Sequence, residues 1–205
     1  MEWVKLCVDK GNLSWGLMRY EIDEQFYIDQ LNNRIETEVL SRKNKKSRIE
    51  SLAARFALKN LLQELQLGYE GIVKDENQKP FLKNIEGQIA ISHTSKYVAV
   101  AFHQTDSIGI DIEKWSERLL RVVPRIMSNE EQKSLSITND NALKLWCAKE
   151  ALYKLNGKKN IDFTNEIKIL ETHESSWTAQ IPQSSDKIPV EFELIHDICL
   201  AKATV

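Results

Sequence analysis

Residues 109–115 read GIDIEKW, with Ile108 just before them. Ile108, Ile110 and Ile112 alternate with Gly109, Asp111 and Glu113. A period of two marks a strand with one buried face, because successive side chains point to opposite sides. Asp111 and Glu113 then share the other face. Like charges two residues apart repel, so a cation or water must offset the cost.

Outward from this strand, the C-terminal half reads as two helices and then strands. A helical stretch runs near 118–127. A second covers about 141–155 (NALKLWCAKEALYKL), with Asn156-Gly157 as its stop. FTNEIKIL, SWTAQI, IPVEFELI and DICLAKATV follow as strand material. Toward the N-terminus, residues 2–8 alternate as a strand and 22–40 are irregularly helical. SRKNKKSR is a basic loop. Ser47 followed by Glu50 has the form of a capping box, predicting a helix from Arg48 to Leu67 that ends at Gly68. NQKP is a turn, and 89–91 and 97–103 are strand-like. This order predicts an α+β chain of two halves, 1–105 and 106–205, with no linker composition between them and hence a shared interface.

Composition narrows the setting. The chain has 205 residues, 42% hydrophobic, enough for a sizeable core, and its formal net charge is −2. Near-neutral charge argues against nucleic acid or a membrane surface as partner. No apolar run reaches the roughly 20 residues of a membrane span, and charges interrupt the apolar N-terminus as no signal peptide allows. Cys7, Cys147 and Cys199 are far apart, without metal-ligand spacing, which suits a reducing compartment. A cytoplasmic, soluble protein is expected.

Four constellations could carry chemistry. Asp111 with Glu113 offers oxygen donors for a hard divalent cation such as Mg²⁺; a solvated strand face is the plainer reading. In WCAKEALYK, Trp146, Glu150 and Lys154 are each four apart and stack on one helix face. That face is either a surface ion pair or a third carboxylate and a cation aimed into a cleft, with Lys149 next door. In ISHTSKY, Ser92, His93 and Thr94 present hydroxyls, an imidazole and backbone N–H groups suited to phosphate, or form a polar turn between strands. Arg48, Arg55 and Lys59 occupy one helix face, and Lys79-Pro80 adds a cation on a stiff turn. Arginine's planar fork suits phosphate; a solvated helix face is the alternative.

The order of these segments resembles a known family. GIDIEKW followed by WCAKEALYK is similar to the two signature motifs of the 4′-phosphopantetheinyl transferases, (I/V)GxDxE and WxxKEAxxK. NQKPFL and ISHTSKY resemble the two motifs that precede them in the surfactin-type subgroup. Three positions depart: Gln78 stands where the family often has Gly, Ala90 where Asn is common, and Thr94 in place of Ser. The resemblance implies two similar α/β halves related by pseudo-two-fold symmetry, with the active site at their interface, in a monomer. It implies transfer of the phosphopantetheine arm of coenzyme A to a serine of an apo-acyl or peptidyl carrier protein, releasing 3′,5′-ADP. Asp111, Glu113 and Glu150 would hold Mg²⁺. Glu150, Lys154 and Asp111 would be catalytic, the base being Glu150 or a metal-bound water. Lys79, Pro80, Ser92, His93, Thr94, Lys149 and Lys154 would bind coenzyme A. Arg48, or else Arg55, would take its 3′-phosphate. A Mg²⁺-dependent nuclease and a non-catalytic interaction protein are the rival readings.

Overall fold

The computed structural model describes residues 2–182 and 184–205. The chain divides into two compact units, one ending at Asp106 and the other beginning at Ser107. Each carries one antiparallel sheet and a long helix, a mixed α/β arrangement. Among the described residues no helix is long and apolar enough to cross a membrane.

The first unit has six strands: β1 (Glu2–Cys7), β2 (Ser14–Arg19), β3 (Ile72–Lys74), β4 (Pro80–Leu82), β5 (Gln88–Thr94) and β6 (Tyr97–His103). Their order across the sheet is β1-β2-β6-β5-β4-β3. Strand β2 is absent from the sequence reading. It lies between β1 and β6 with five of its six residues buried, so SWGLMR lacks the alternation that betrays a half-exposed strand. The helices are α1 (Glu24–Leu31), α2 (Thr37–Leu40) and α3 (Lys45–Glu64). Leu52, Ala57, Leu58 and Leu61 of α3 share one buried core with Met18, Ile89, Val98 and Val100 of the sheet.

The expected start of α3 needs correction. The side chain of Asn44 accepts from the Ser47 N–H at 3.0 Å and is the N-cap, so half of SRKNKKSR is helix. Ser47 stands inside the first turn, and the Ser47–Glu50 box does not form. Likewise, Ser92, His93 and Thr94 are not a corner after a strand. They belong to β5 itself, paired with Ala99, Val98 and Tyr97 of β6, and the chain turns after them.

The second unit contains β7 (Ile108–Lys114), α4 (Glu117–Val122), a 3₁₀ turn (Val123–Arg125), α5 (Asn129–Ser134) and α6 (Asn139–Asn156). Four strands follow: β8 (Lys168–Thr172), β9 (Ser176–Gln180), β10 (Ile188–Ile195) and β11 (Ile198–Thr204). The order β7-β11-β10-β9-β8 sets the last strand beside the first. In that register Ala203, Ala201 and Cys199 lie opposite Gly109, Asp111 and Glu113. These small residues leave room for α6, which packs on β7 and β11.

Helix α6 has clear punctuation. Thr138 accepts from the Asn141 N–H at 3.2 Å at its start. Gly157, at φ 69°, takes the left-handed conformation at its stop. Its Leu145, Ala148, Ala151, Leu152 and Leu155 are buried in the second core with Trp177, Val190 and Cys199.

Candidate active site

The face of β7 read as outward is covered. Asp111 is 5% exposed, and Ile108, Ile110 and Ile112 on the opposite face are buried too. Helix α6 covers the Gly-Asp-Glu side at very close range. A Cβ on Gly109 would lie 1.9 Å from the Ala151 carbonyl oxygen and 2.8 Å from the Leu155 nitrogen. Only glycine allows this approach, and the approach brings the acidic face of the strand against the helix turn carrying Glu150 and Lys154.

Four predicted site residues therefore meet on one strand–helix pair. The Lys154 Nζ donates to Asp111 Oδ1 at 2.7 Å. Burial, then the charges of Asp111 and Glu150, push the Glu113 carboxyl up to about 7, against weaker opposition from Arg118 and Lys154. Burial and then Asp111 raise Glu150 as well, while Lys154 pulls it back. For Glu113 and Glu150 burial is the larger cause, and the neighbouring carboxylates add to it. The Lys154 ammonium offsets part of the repulsion expected among these carboxyls. Trp146, one turn before Glu150, is half-buried against the core and closes that side of the helix face.

The donor set suits a hard divalent cation: three carboxylates, all oxygen, with no imidazole or thiolate among them. Among the described residues, no three acidic, histidine or cysteine side chains are drawn together tightly enough to form a metal-holding group. The chemistry of the donors fits Mg²⁺, and a cation would relieve the strain the raised carboxyls record.

Lys149 is a correction. The resemblance implies that it contacts coenzyme A, yet its side chain is 0% exposed. Its Nζ donates to Glu131 Oε2 at 2.8 Å and to the carbonyls of Ile126, Phe163 and Ile167 at 2.8, 2.6 and 2.9 Å. A three-proton donor with four acceptors has nothing left for a ligand. Burial lowers its pKa against the pull of Glu131. Glu131 escaped the sequence reading, although Ser128 and Glu131 carry the capping-box spacing and do form the box.

The remaining candidates all lie in the first unit. Arg48, Arg55 and Lys59 do not leave an open basic face on α3; each has a partner. Arg48 Nη2 donates to Glu24 Oε2 at 3.1 Å. That hydrogen bond raises the Arg48 pKa and lowers that of Glu24. Arg55 is buried, paired with Glu36, and donates to the Ser51 carbonyl at 3.0 Å. Glu36 in turn accepts from the Ile72 N–H at 2.7 Å. Lys59 donates to the Gln30 carbonyl at 2.7 Å. Arg55 is thus built into the fold, whereas Arg48, with its side chain 20% exposed, stays within reach of solvent.

Lys79 and Pro80 sit where β3 turns into β4, and burial lowers the Lys79 pKa against the field of Asp75. The preceding Gln78 has φ 70°, a left-handed conformation that favours glycine. Ser92 is buried, and His93, with its side chain 45% exposed, has its Nδ1 3.9 Å from Glu50 Oε2. Tyr20 Oη donates to the other Glu50 oxygen at 3.5 Å. Glu50 is a further residue here that sequence reasoning took only for a helix cap.

The second unit thus gathers three carboxyls and a lysine ammonium on one strand–helix pair. Residues 107–203 match the family model of the 4′-phosphopantetheinyl transferase superfamily. That match covers the whole strand–helix site and supports a transferase of this kind. No curated protein sequence matches the chain significantly.

Proposed function

We propose that the protein transfers the 4′-phosphopantetheine arm of coenzyme A to a serine of an apo-acyl or peptidyl carrier protein. The carrying observation is the convergence of Asp111, Glu113, Glu150 and Lys154 within the stretch that matches the superfamily. The four collinear motifs from Lys79 to Lys154 support the surfactin-type subgroup, and with it the two-half, monomeric form, working in the cytoplasm.

In the reaction, the carrier serine Oγ attacks the phosphorus that bears the pantetheine arm. The Oγ–P bond forms, the bond to the other phosphate breaks, and 3′,5′-ADP leaves. Glu150 accepts the serine proton as general base. Mg²⁺, held by Asp111, Glu113 and Glu150, would supply Lewis-acid stabilisation of the diphosphate charge. Lys154 would hold a phosphate oxygen, placing a fixed positive charge where charge builds up. Arg48 binds the 3′-phosphate, and Lys79, Pro80, Ser92, His93 and Thr94 form the nucleotide-end contacts.

The test is incubation with coenzyme A, Mg²⁺ and an apo-carrier, read by intact mass. A carrier heavier by one phosphopantetheine, with 3′,5′-ADP in equal amount, is the expected result. An unchanged carrier across fatty-acid, polyketide and peptide-synthesis types would sink the proposal.

A further inference from the structure

The chemistry proposed above needs Glu150 and Lys154 to face β7, so something must fix the rotation of α6 about its own axis. A long helix resting on a sheet through Ala148, Ala151, Leu152 and Leu155 can roll, because apolar contact is not directional. Gly109 sets how close the helix lies, not which way it is turned. Hydrogen bonds are directional, and one residue of α6 makes four of them to other segments in the core.

Resting on the proposed transfer reaction, we propose that Lys149 is a positioning residue whose buried ammonium locks the rotation of α6 and so aims Glu150 and Lys154 at Asp111 and Glu113. Its four acceptors come from separate stretches of chain: Ile126 after the 3₁₀ turn, Glu131 on α5, and Phe163 and Ile167 ahead of β8. Glu131 is anchored in turn. Its Oε2 accepts from the Ser128 N–H and its Oε1 from the Ile169 N–H, both at 2.8 Å. The segment holding Phe163 is tied as well: Asp162 Oδ1 accepts from the Thr164 N–H and Glu166 Oε2 from the Asp162 N–H, each at 2.8 Å. The ammonium therefore grips parts of the chain that are themselves held. A side chain that only filled space would not carry a charge into the core, because methylenes alone do that at no desolvation cost. Lys149 directly precedes Glu150, so a roll of α6 that released one would carry the other away.

The experiment compares Lys149→Met, Glu131→Gln, the double variant Lys149→Met/Glu131→Gln, and Ile188→Ala as a control for lost stability in the same core. Melting temperature, transfer kinetics and amide deuterium uptake over residues 147–156 are measured for each. Lys149→Met should lose about 100-fold in kcat, the scale of a misplacement near 1 Å, with raised uptake across the last two turns of α6. Glu131→Gln keeps the side-chain volume but removes the charge and one of the two oxygens that accept the Ser128 and Ile169 N–H groups; it provides a second case and should fall in the same direction. The double variant leaves no unpaired charge and should regain melting temperature over Lys149→Met without regaining kcat. Ile188→Ala should melt lower yet keep kcat and uptake over 147–156. Turnover of Lys149→Met within threefold of wild type, or recovery of kcat along with melting temperature in the double variant, would overturn the assignment. If the wild type transfers nothing, the reaction is wrong, and uptake alone then judges the lock: unchanged protection in Lys149→Met refutes it, and lost protection sustains it.

Discussion

The two long helices make an instructive pair. Both lie on antiparallel sheets, and both bury a basic side chain against a glutamate from another element: Arg55 with Glu36 on α3, Lys149 with Glu131 on α6. They differ in the strands beneath. Below α3 the sheet offers Met18, Ile89, Val98 and Val100, an apolar seam that needs no explanation beyond burial. Below α6, the strand offers Gly109, Asp111 and Glu113. Carboxyls in a helix–sheet seam cost stability unless paired, and here, among the described residues, Lys154 pairs with Asp111. The seam of the second unit is poorer as a core than that of the first. Groups kept against stability are the mark of a working site.

The largest effect should come from removing charges in that seam. Asp111→Ala and Glu150→Gln should each reduce transfer about 1,000-fold, roughly 4 kcal/mol in the barrier, with the protein folded by circular dichroism. Swapping Val98 for Ala beneath α3 should lower the melting temperature and leave turnover near normal. If the seam variants stay active at saturating Mg²⁺, the contrast between the seams has no functional meaning.

The second contrast concerns two glycines. A Cβ on Gly109 meets helix backbone at 1.9 Å, whereas one on Gly16 meets the Trp3 ring at 2.3 Å. Backbone at the centre of a packed seam cannot give way, but a half-buried ring on edge strand β1 can turn aside. Gly109→Ala should cost about 3 kcal/mol or more, and Gly16→Ala about 1 kcal/mol. Chemical denaturation of both variants supplies the comparison; equal losses would mean that α6 can lift off β7 without penalty.

A third test exploits the repulsion. Glu113 has its folded-state pKa raised from 4.5 to about 7. The folded state then holds the proton that the unfolded chain has released. Its contribution is fully present below pH 4.5 and is lost as the pH rises through 7. Without metal, wild-type stability should fall between pH 5 and pH 8 by at most about 3 kcal/mol. Glu113→Gln should flatten that slope and melt above wild type at pH 8. Added Mg²⁺ with coenzyme A should raise the wild-type melting temperature most at the alkaline end, where the carboxylates are bare, and that of Glu113→Gln much less. A wild-type slope of the opposite sign would show that Glu113 is stabilised as a carboxylate by a structural partner.

The smallest effect belongs to the first unit. Arg48→Ala should weaken coenzyme A about tenfold, roughly 1.4 kcal/mol, and leave dephospho-coenzyme A nearly untouched. Its bond to Glu24 still reaches solvent, with both side chains 20% exposed, and adds little stability, so melting should barely move. Arg55→Met should do the reverse, because that guanidinium is buried in the fold. Matching losses for both ligands would remove Arg48 from the 3′-phosphate.

Local rules acting over a few residues were legible in the sequence. The alternation of Ile108, Ile110 and Ile112 marked β7, and the spacing of Trp146, Glu150 and Lys154 marked one face of α6 with its stop at Gly157. The candidates Asp111, Glu113, Glu150 and Lys154 were named from these periods and from motif order, without knowing that strand and helix touch. Where local signals competed, the sequence misled: Asn44 outranked Ser47 as a cap, and the buried β2 showed no alternation. What only the tertiary structure decided was which groups remain available. Lys149 and Lys154 are five residues apart on one helix, equally basic and equally suited to phosphate on paper. One meets four acceptors in the core and the other meets Asp111, because the path of the chain from Ile126 to Ile169 closes over one side of α6. Periodicity assigns a residue to a face. What lies against that face comes from chain segments tens of residues away, and their arrival is set by the packing of the whole unit.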